Sequence, residues 1–168
     1  MQDEIVNKVA QSKLITFNLE DYYPKGDRMV LDIKDWLFEG FILKEKEFRA
    51  FVEEHDWSQY EGAYVAMHCS TDAIVPGWAY ILLSVKLSGI AKKIIQGSLV
   101  DLETSIYQSI IEHLDISEYQ DKLIIIKGCS KKPVPANAYL FLAERLKPVA
   151  RSIMYGEACS SVPLYKRK

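Results

Sequence analysis

The three cysteines of this sequence, Cys69, Cys129 and Cys159, stand in the same local pattern. Each follows a stretch that is typical of a β-strand, each precedes a serine, and each has a Val-Pro pair a few residues later. The distance from Cys to Pro shortens from seven to six to four residues along the chain. The pattern therefore indicates a recurring local arrangement rather than a clean sequence repeat.

Thiolates, the deprotonated form of cysteine side chains, bind metal ions and act as nucleophiles. The positions of these cysteines favour the thiolate form. If the three preceding strands are parallel, their carboxyl ends share one edge of the sheet, where α/β proteins place their sites. Cys69 and Cys129 also precede predicted helices, whose N-termini lower the pKa of a thiol below its usual value of about 8.5. Soft thiolate ligands select zinc or an iron–sulfur cluster. The sequence predicts such a metal site, with Cys69, Cys129 and Cys159 as ligands.

A fourth group would complete this site, and the sequence offers His68, Asp72 and Glu157. Side chains alternate between the two faces of a strand, so His68 points away from Cys69 unless the chain bends there. Asp72 is equally well placed to cap a turn or a helix. Glu157 stands two residues before Cys159. We therefore expect Glu157 or His68 to be the fourth metal ligand or a group that supports the ligands.

Other roles for these residues remain open. A single cysteine with a low pKa would serve an enzyme as nucleophile or redox thiol, with Lys131 or Lys132 lowering that pKa and His68 as the base. The aromatic segment at residues 56–60 would instead suit a non-catalytic module that binds a protein partner. Free cysteine is also among the most often buried residue types, so packing alone explains a cysteine after a strand.

The composition is that of an ordinary globular chain of 168 residues, 49% hydrophobic and 26% charged, with a formal net charge of −2. It has no basic footprint for nucleic acid, and we interpret the final Lys-Arg-Lys run as a solvated tail. The most apolar stretch, residues 74–95, is broken by Pro, Gly and Lys, so it predicts no membrane span. The N-terminus is unlike a signal peptide. We expect a cytoplasmic protein with reduced thiols and a single domain over residues 1–168.

Alternating strand-like and helix-like segments predict an α/β fold. The predicted helices cover residues 3–11, 46–55, 76–88, 99–114 and 135–147. The predicted strands cover residues 14–17, 30–33, 38–43, 63–67, 92–96, 123–126 and 151–155. The continuous apolar run at 123–126 is typical of a strand buried on both faces. We expect a mostly parallel sheet flanked by helices, with a mixed or antiparallel N-terminal extension.

Five segments carry a family resemblance: LITFNLEDYYP, DIKDWLFEGFILKEKEFR, HDWSQYEGAYVAMHCSTDAIVPGWAY, IIIKGCSKKPVPANAY and SIMYGEACSSVPLYK. Through them the sequence resembles, over nearly its whole length, a bacterial family classed as domain of unknown function 2480. The resemblance implies a role near sulfur mobilisation and iron–sulfur cluster assembly, with the assembly proteins as partners. It assigns no catalytic residue, and it agrees with the three-thiolate prediction.

Overall fold

The chain divides into two compact units, each with its own sheet and its own hydrophobic core. The computed structural model describes residues 14–128, 130–157 and 159–168. One unit contains the residues up to Tyr23 and those from Tyr107 onward, and it is called the terminal unit below. The other contains Pro24–Ile106 and is called the central unit.

The helices of the described residues are α1 (Glu45–Glu54), α2 (Gly77–Leu87), α3 (Leu99–Glu112) and α4 (Ala136–Leu146). Their strands are β1 (Leu14–Phe17), β2 (Arg28–Asp32), β3 (Tyr64–His68), β4 (Lys93–Gln96), β5 (Leu123–Ile126), β6 (Ser152–Glu157) and β7 (Ser160–Lys166). Short 3₁₀ turns occupy Leu19–Tyr22, Lys34–Trp36, Trp57–Tyr60 and Ser117–Tyr119. None of the helices in this described part is long and apolar enough to cross a lipid bilayer.

The terminal unit contains a four-stranded sheet with the strand order β1-β5-β6-β7. β1, β5 and β6 pair in parallel, while β6 and β7 form an antiparallel hairpin. The chain passes from β5 to β6 through α4, as a parallel connection requires. The apolar sides of these elements form one core, which includes Phe17, Ile124, Ile126, Leu142, Leu146 and Ile153.

The central unit contains a three-stranded, fully parallel sheet with the order β2-β3-β4. α1 lies in the connection from β2 to β3, and α2 lies in the connection from β3 to β4. Its core is separate from that of the terminal unit and includes Leu31, Ile33, Phe48, Val65, Leu83 and Leu87.

Short sequence signals explain where the helices begin. Pro76 and Pro135 adopt an extended conformation directly before α2 and α4, so each helix begins one residue later than predicted. α3 begins at a capping box, in which the Ser98 hydroxyl accepts a hydrogen bond from Asp101 N at 3.2 Å. In return, an Asp101 carboxylate oxygen accepts one from Ser98 N at 2.8 Å. These contacts satisfy N–H groups that the first turn of a helix leaves without intrahelical partners.

The predicted fold class, α/β with mainly parallel strands, is confirmed. The expected place of the antiparallel pairing is wrong. Of the N-terminal strands, β1 pairs in parallel with β5 and β2 pairs in parallel with β3, and the antiparallel pair is the C-terminal one, β6 with β7. The strand predicted at 38–43 is also wrong. There the chain reverses through Glu39 and Gly40, whose φ angles are 51° and 74°, and Phe38 and Ile42 form a single bridge. The helix predicted at 3–11 lies outside the described residues.

The C-terminal residues belong to the fold, which corrects their interpretation as a solvated tail. Lys166 ends β7. The Arg167 guanidinium lies 2.6 Å from an Asp121 carboxylate oxygen and donates a hydrogen bond to the Pro148 carbonyl at 2.8 Å. Pro163 lies inside β7, where the pairing with β6 shifts its register. Because Val-Pro is typical of loops, no local pattern predicts this strand.

The two units contain an internal sequence repeat, residues 56–97 and 115–156. Each copy passes from a 3₁₀ turn through a strand, a loop with Cys-Ser, a helix and a second strand to a glycine. Besides Cys-Ser, the identical pairs are Asp56/Asp115, Ser58/Ser117, Tyr60/Tyr119, Val75/Val134, Pro76/Pro135, Ala79/Ala138, Tyr80/Tyr139, Leu83/Leu142, Leu87/Leu146, Ala91/Ala150, Ile94/Ile153 and Gly97/Gly156. Gly128 precedes the second cysteine as an extra residue, and the loop that follows is one residue shorter. These two changes hide the repeat when only the cysteine spacing is considered.

The backbone repeats together with the sequence. Gly62 and Asp121 occupy equivalent positions and have φ angles of 68° and 56°. Each donates its N–H to an equivalent carbonyl beyond the helix, of Ile90 at 3.0 Å and of Val149 at 2.9 Å. The same supersecondary unit is therefore built twice, so a difference between the copies indicates where their roles differ.

Candidate functional site

The predicted metal ligands are distributed over both units. Cys69 and His68 belong to the central unit, Cys159 and Glu157 belong to the terminal unit, and Cys129 lies outside the described residues. Within the described ranges, no three His, Cys, Asp or Glu side chains form a group that could hold a metal ion. The three-thiolate site therefore stays a prediction without support from the described side chains.

Cys69 takes part in a short hydrogen-bond relay. Its sulfur lies 3.2 Å from the Thr71 hydroxyl, and that hydroxyl donates to the Gly40 carbonyl at 2.7 Å. Because a hydroxyl has one proton, the thiol must be the donor in the contact between Cys69 and Thr71. The side chain is half-buried and packs against the core of the central unit. The Cys69 sulfur thus has a hydrogen-bond partner within its own loop.

His68 lies beside the carboxylate of the neighbouring strand. Its Nε2 is 3.8 Å from Asp32 Oδ2, while Asp32 Oδ1 accepts backbone hydrogen bonds from Ser70 and Lys34, both at 3.1 Å. Partial burial opposes ionisation of Asp32, but the hydrogen bonds from Ser70 and Lys34 outweigh it and hold the pKa of this carboxyl below its usual value. Asp32 thus fixes the loop that follows Cys69 to the end of β2.

Cys159 lies at the turn of the β6–β7 hairpin, so the third occurrence of the Cys-Ser pattern is structurally different from the first. Glu157 ends β6 and pairs with Ser160 at the start of β7. Cys159 is exposed to solvent, and the chain continues into a strand instead of a helix. One sequence pattern thus serves two structures, a strand–loop–helix connection and a tight hairpin.

A cleft of about 660 Å³ lies at the carboxyl end of β5 in the terminal unit. Its walls come from α4, from the hairpin of β6 and β7, and from the loop between β5 and α4. The polar side chains along it include Ser130, Lys132 and Tyr155, and the apolar ones include Ile126, Val134, Leu140 and Leu164. Parallel α/β proteins bind their ligands at this end of the strands.

A second hollow, of about 300 Å³, continues along α4 and β7. Ala143 and Leu164 line both hollows, which together are called the α4–β7 groove below. The side chains of Leu140 and Leu164 are 63% and 56% exposed, although both are large and apolar. Lys132 lines the wider part and Lys147 the narrower part. Glu144 also lines the narrower part, so the groove combines an apolar surface with a cationic side chain in the wider part and one side chain of each charge in the narrower part.

Two tyrosines shape the wider part of the groove. The Tyr155 hydroxyl donates to the Gly128 carbonyl at 3.3 Å, and the rings of Tyr139 and Tyr155 meet edge to face with centroids 5.9 Å apart. A Cβ atom at Gly128 would lie 2.9 Å from the Tyr155 ring, which is closer than packing allows. A larger residue at this extra position of the second repeat would therefore require the Tyr155 ring to move.

Glu20 fixes the loop between β5 and α4. Its Oε1 accepts backbone hydrogen bonds from Lys132 N at 2.9 Å and from Lys131 N. The Ser130 hydroxyl lies 3.1 Å from the same oxygen and 2.7 Å from the Lys132 carbonyl, so its one proton is shared between two acceptors. The backbone hydrogen bonds from Lys132 and Lys131 hold the pKa of the Glu20 carboxyl below its usual value. The Lys132 ammonium also donates to the Glu20 carbonyl at 3.1 Å. Two backbone N–H groups of one short loop therefore converge on one carboxylate oxygen, with the Ser130 hydroxyl beside it.

Sequence reasoning missed both Glu20 and the α4–β7 groove. Glu20 is 110 residues away from Ser130 in the sequence, and only the pairing of β1 with β5 brings the two together. The groove depends on β7, whose sequence resembles a loop. One available signal was charge, because the second Cys-Ser loop contains Lys131 and Lys132 where the first contains Thr71 and Asp72.

Residues 3–167 match the family described as protein of unknown function (DUF2480). The chain belongs to this family. Membership confirms the resemblance inferred from the sequence, while the link to iron–sulfur cluster assembly stays a prediction. No curated protein and no solved structure matches the chain. The family description assigns no ligand, so the function has to be argued from the site itself.

Proposed function

We propose that the protein binds a small organic acid in the α4–β7 groove of the terminal unit. The apolar body of the ligand lies along α4 and β7, and its carboxylate points to the loop with Ser130 and Lys132. The observation that carries the proposal is the groove itself: open apolar walls, bordered by a hydroxyl and an ammonium group, at the carboxyl end of a parallel strand. Small-molecule sites combine these same features.

The size of the groove suits a small molecule. Such sites usually measure roughly 300–1,000 Å³, and the two parts of the groove measure about 660 and 300 Å³. Leu140 and Leu164 are exposed, so covering them with a ligand is favourable. Full burial of a leucine side chain contributes about 1.5–3 kcal/mol, which is an upper limit for each residue here.

The difference between the two repeats supports an anionic ligand. The segment after β5 in the terminal unit contains Lys127, Lys131 and Lys132. The equivalent segment of the central unit contains His68 and Asp72. An ammonium group beside an apolar surface attracts an anion more strongly than it does in bulk water, because the local dielectric constant is lower. We expect this cationic loop to select acids over neutral molecules of the same shape.

Isothermal titration calorimetry with naphthalene-2-carboxylate tests the proposal. Ala143 lines both parts of the groove, so Ala143→Phe places a ring in the binding space and should weaken the affinity about tenfold or more. Ser84→Phe is the matched control, because Ser84 occupies the equivalent position on α2 of the central unit. It should change the affinity by less than about twofold.

The neutral analogue 2-naphthalenemethanol separates the apolar contribution from the ionic one. We expect it to bind about tenfold more weakly than the acid, since it has the same ring system without the charge. The proposal is wrong if the acid does not bind the unmodified protein. It is equally wrong if Ala143→Phe and Ser84→Phe weaken binding to the same extent.

Thiolate-based metal binding is a second candidate, favoured by one observation on the strands. β5 and β6, which precede Cys129 and Cys159, pair in parallel, and the last residue of β5, Ile126, lies opposite Tyr155, near the end of β6. In this form of the hypothesis Cys129, Cys159 and Glu157 hold zinc or an iron–sulfur cluster, and iron–sulfur assembly proteins are the partners.

Elemental analysis and an absorption spectrum of protein purified without oxygen test this second candidate. The hypothesis expects about one equivalent of zinc or iron per chain, lost in the double variant Cys129→Ser/Cys159→Ser and retained in Cys69→Ser. Metal-free protein contradicts it.

A further inference from the structure

We infer that the loop of Ser130, Lys131 and Lys132 is a carboxylate-binding site that the chain fills with its own Glu20, and that a ligand binds by replacing this side chain. The identity of that ligand, the acid of the α4–β7 groove, rests on the proposed function. The existence of the site does not, because it follows from the hydrogen bonds of Glu20.

The loop has the donors of an anion site. Two consecutive backbone N–H groups, of Lys131 and Lys132, donate to Glu20 Oε1. The Ser130 hydroxyl lies 3.1 Å from the same oxygen and 2.7 Å from the Lys132 carbonyl. Successive backbone N–H groups that converge in a short loop form concave sites for anions. Ser130 and Lys132 also line the groove, so the groups that hold Glu20 are within reach of a molecule bound there.

The repeat shows that the two units fix their equivalent loops with residues at different positions. In the central unit the anchor is Asp32, the last residue of β2, which accepts from Lys34 N at 3.1 Å. The strand registers place Asn18 at the equivalent position of the terminal unit, and Asn18 accepts from Glu20 N at 3.3 Å in the same way. Glu20 is the counterpart of Lys34, so its carboxylate is a feature of the terminal unit alone.

Replacement of Glu20 conserves the hydrogen bonding of the loop. An incoming carboxylate takes over the backbone N–H donors of Lys131 and Lys132, and the released Glu20 carboxylate becomes hydrated. Because Glu20 is tethered nearby, it competes at a high effective concentration and lowers the apparent affinity for any external acid. Removing the side chain should therefore raise that affinity, since the vacant site no longer has to be cleared first.

Acetate is the probe, because it is a carboxylate without a body that could bind elsewhere in the groove. In Glu20→Ala we expect acetate to shift the amide resonances of Ser130, Lys131 and Lys132 saturably, toward their positions in the unmodified protein. The affinity should exceed that of the unmodified protein about tenfold or more. Asp21→Ala is the matched control, since it removes the neighbouring negative charge, whose carboxylate accepts a hydrogen bond from Asn18 Nδ2 instead.

The inference is overturned if acetate causes no saturable shift at these amides in Glu20→Ala. It is also overturned if Asp21→Ala gains as much affinity, because the effect is then one of net charge. Should Glu20→Ala disturb the fold, the isosteric pair Glu20→Gln and Asp21→Asn decides by the same comparison.

The failure of this inference is distinguishable from the failure of the proposed function. If naphthalene-2-carboxylate binds the unmodified protein and Glu20→Ala equally well, the ligand does not replace Glu20. Binding in the α4–β7 groove is then still supported. If acetate binds Glu20→Ala but the naphthalene acid binds neither protein, the anion site stands and the groove is not where a ligand binds.

Discussion

The Cys69 side chain of the central unit takes part in a relay of two hydrogen bonds. The Cys69 thiol donates to Thr71, and the Thr71 hydroxyl donates to Gly40, so the relay connects the loop after β3 with the turn at Gly40. Cys69 therefore serves the structure of the central unit.

Replacement of Cys69 tests this role. Cys69→Ala removes the donor and should lower the free energy of unfolding by about 1–2 kcal/mol, whereas Cys69→Ser keeps a donor and should cost less. Cys159→Ala is the control; this exposed residue should contribute less than about 0.5 kcal/mol. Urea denaturation measures the differences. Equal stability of Cys69→Ala and Cys159→Ala, or equally fast alkylation of Cys69 and Cys159, would refute the role as a donor.

At the scale of elements, an ion pair connects β2 with α3 in the central unit. Arg28 Nε lies 2.6 Å from Glu103 Oε1, and the two side chains are 13% and 8% exposed. The Arg28 guanidinium also donates to the carbonyls of Pro24 and Gly26, and it lies 4.8 Å from the centroid of the Tyr64 ring. Because both side chains are nearly buried, removing one partner leaves the other charge uncompensated in a poorly hydrated environment.

Glu103→Ala should therefore be strongly destabilising, by about 3–5 kcal/mol. Glu45→Ala breaks a comparable pair with Arg49 on the exposed surface of α1, where both side chains are more than half exposed. That change should cost no more than about 0.5 kcal/mol. Denaturant titration of the two variants checks the contrast, and equal losses would mean that the pair of Arg28 and Glu103 does not connect β2 with α3 as described.

The elements themselves were predictable wherever a local pattern determines them. The apolar run at β5 and the prolines before α2 and α4 placed these elements to within a residue. β7 was not predictable, because its Val-Pro also stands before two helices, and only pairing with β6 makes it a strand. The turn at Glu39 and Gly40 likewise interrupts an apolar run whose composition is that of a strand.

At the scale of the whole molecule, the repeat explains which part of the candidate site the sequence revealed. The Cys-Ser loops and their position at the carboxyl ends of strands follow from local sequence, and so does the excess of lysine in the second loop. Glu20 and the wall formed by β7 depend on contacts between distant segments, which no local pattern encodes. The sequence therefore indicated the carboxyl edge of the sheet, where the proposed groove lies, but not the backbone donors of Lys131 and Lys132 or their contact with Glu20.

An amide chemical-shift titration of the isotope-labelled protein with naphthalene-2-carboxylate tests the groove most directly. If the acid binds along α4 and β7, the largest shifts fall on residues 130–134, 139–144 and 162–165, and the amides of the central unit remain largely unchanged. Shifts centred on Pro24–Ile106, or no saturable shift anywhere, would contradict binding in the α4–β7 groove.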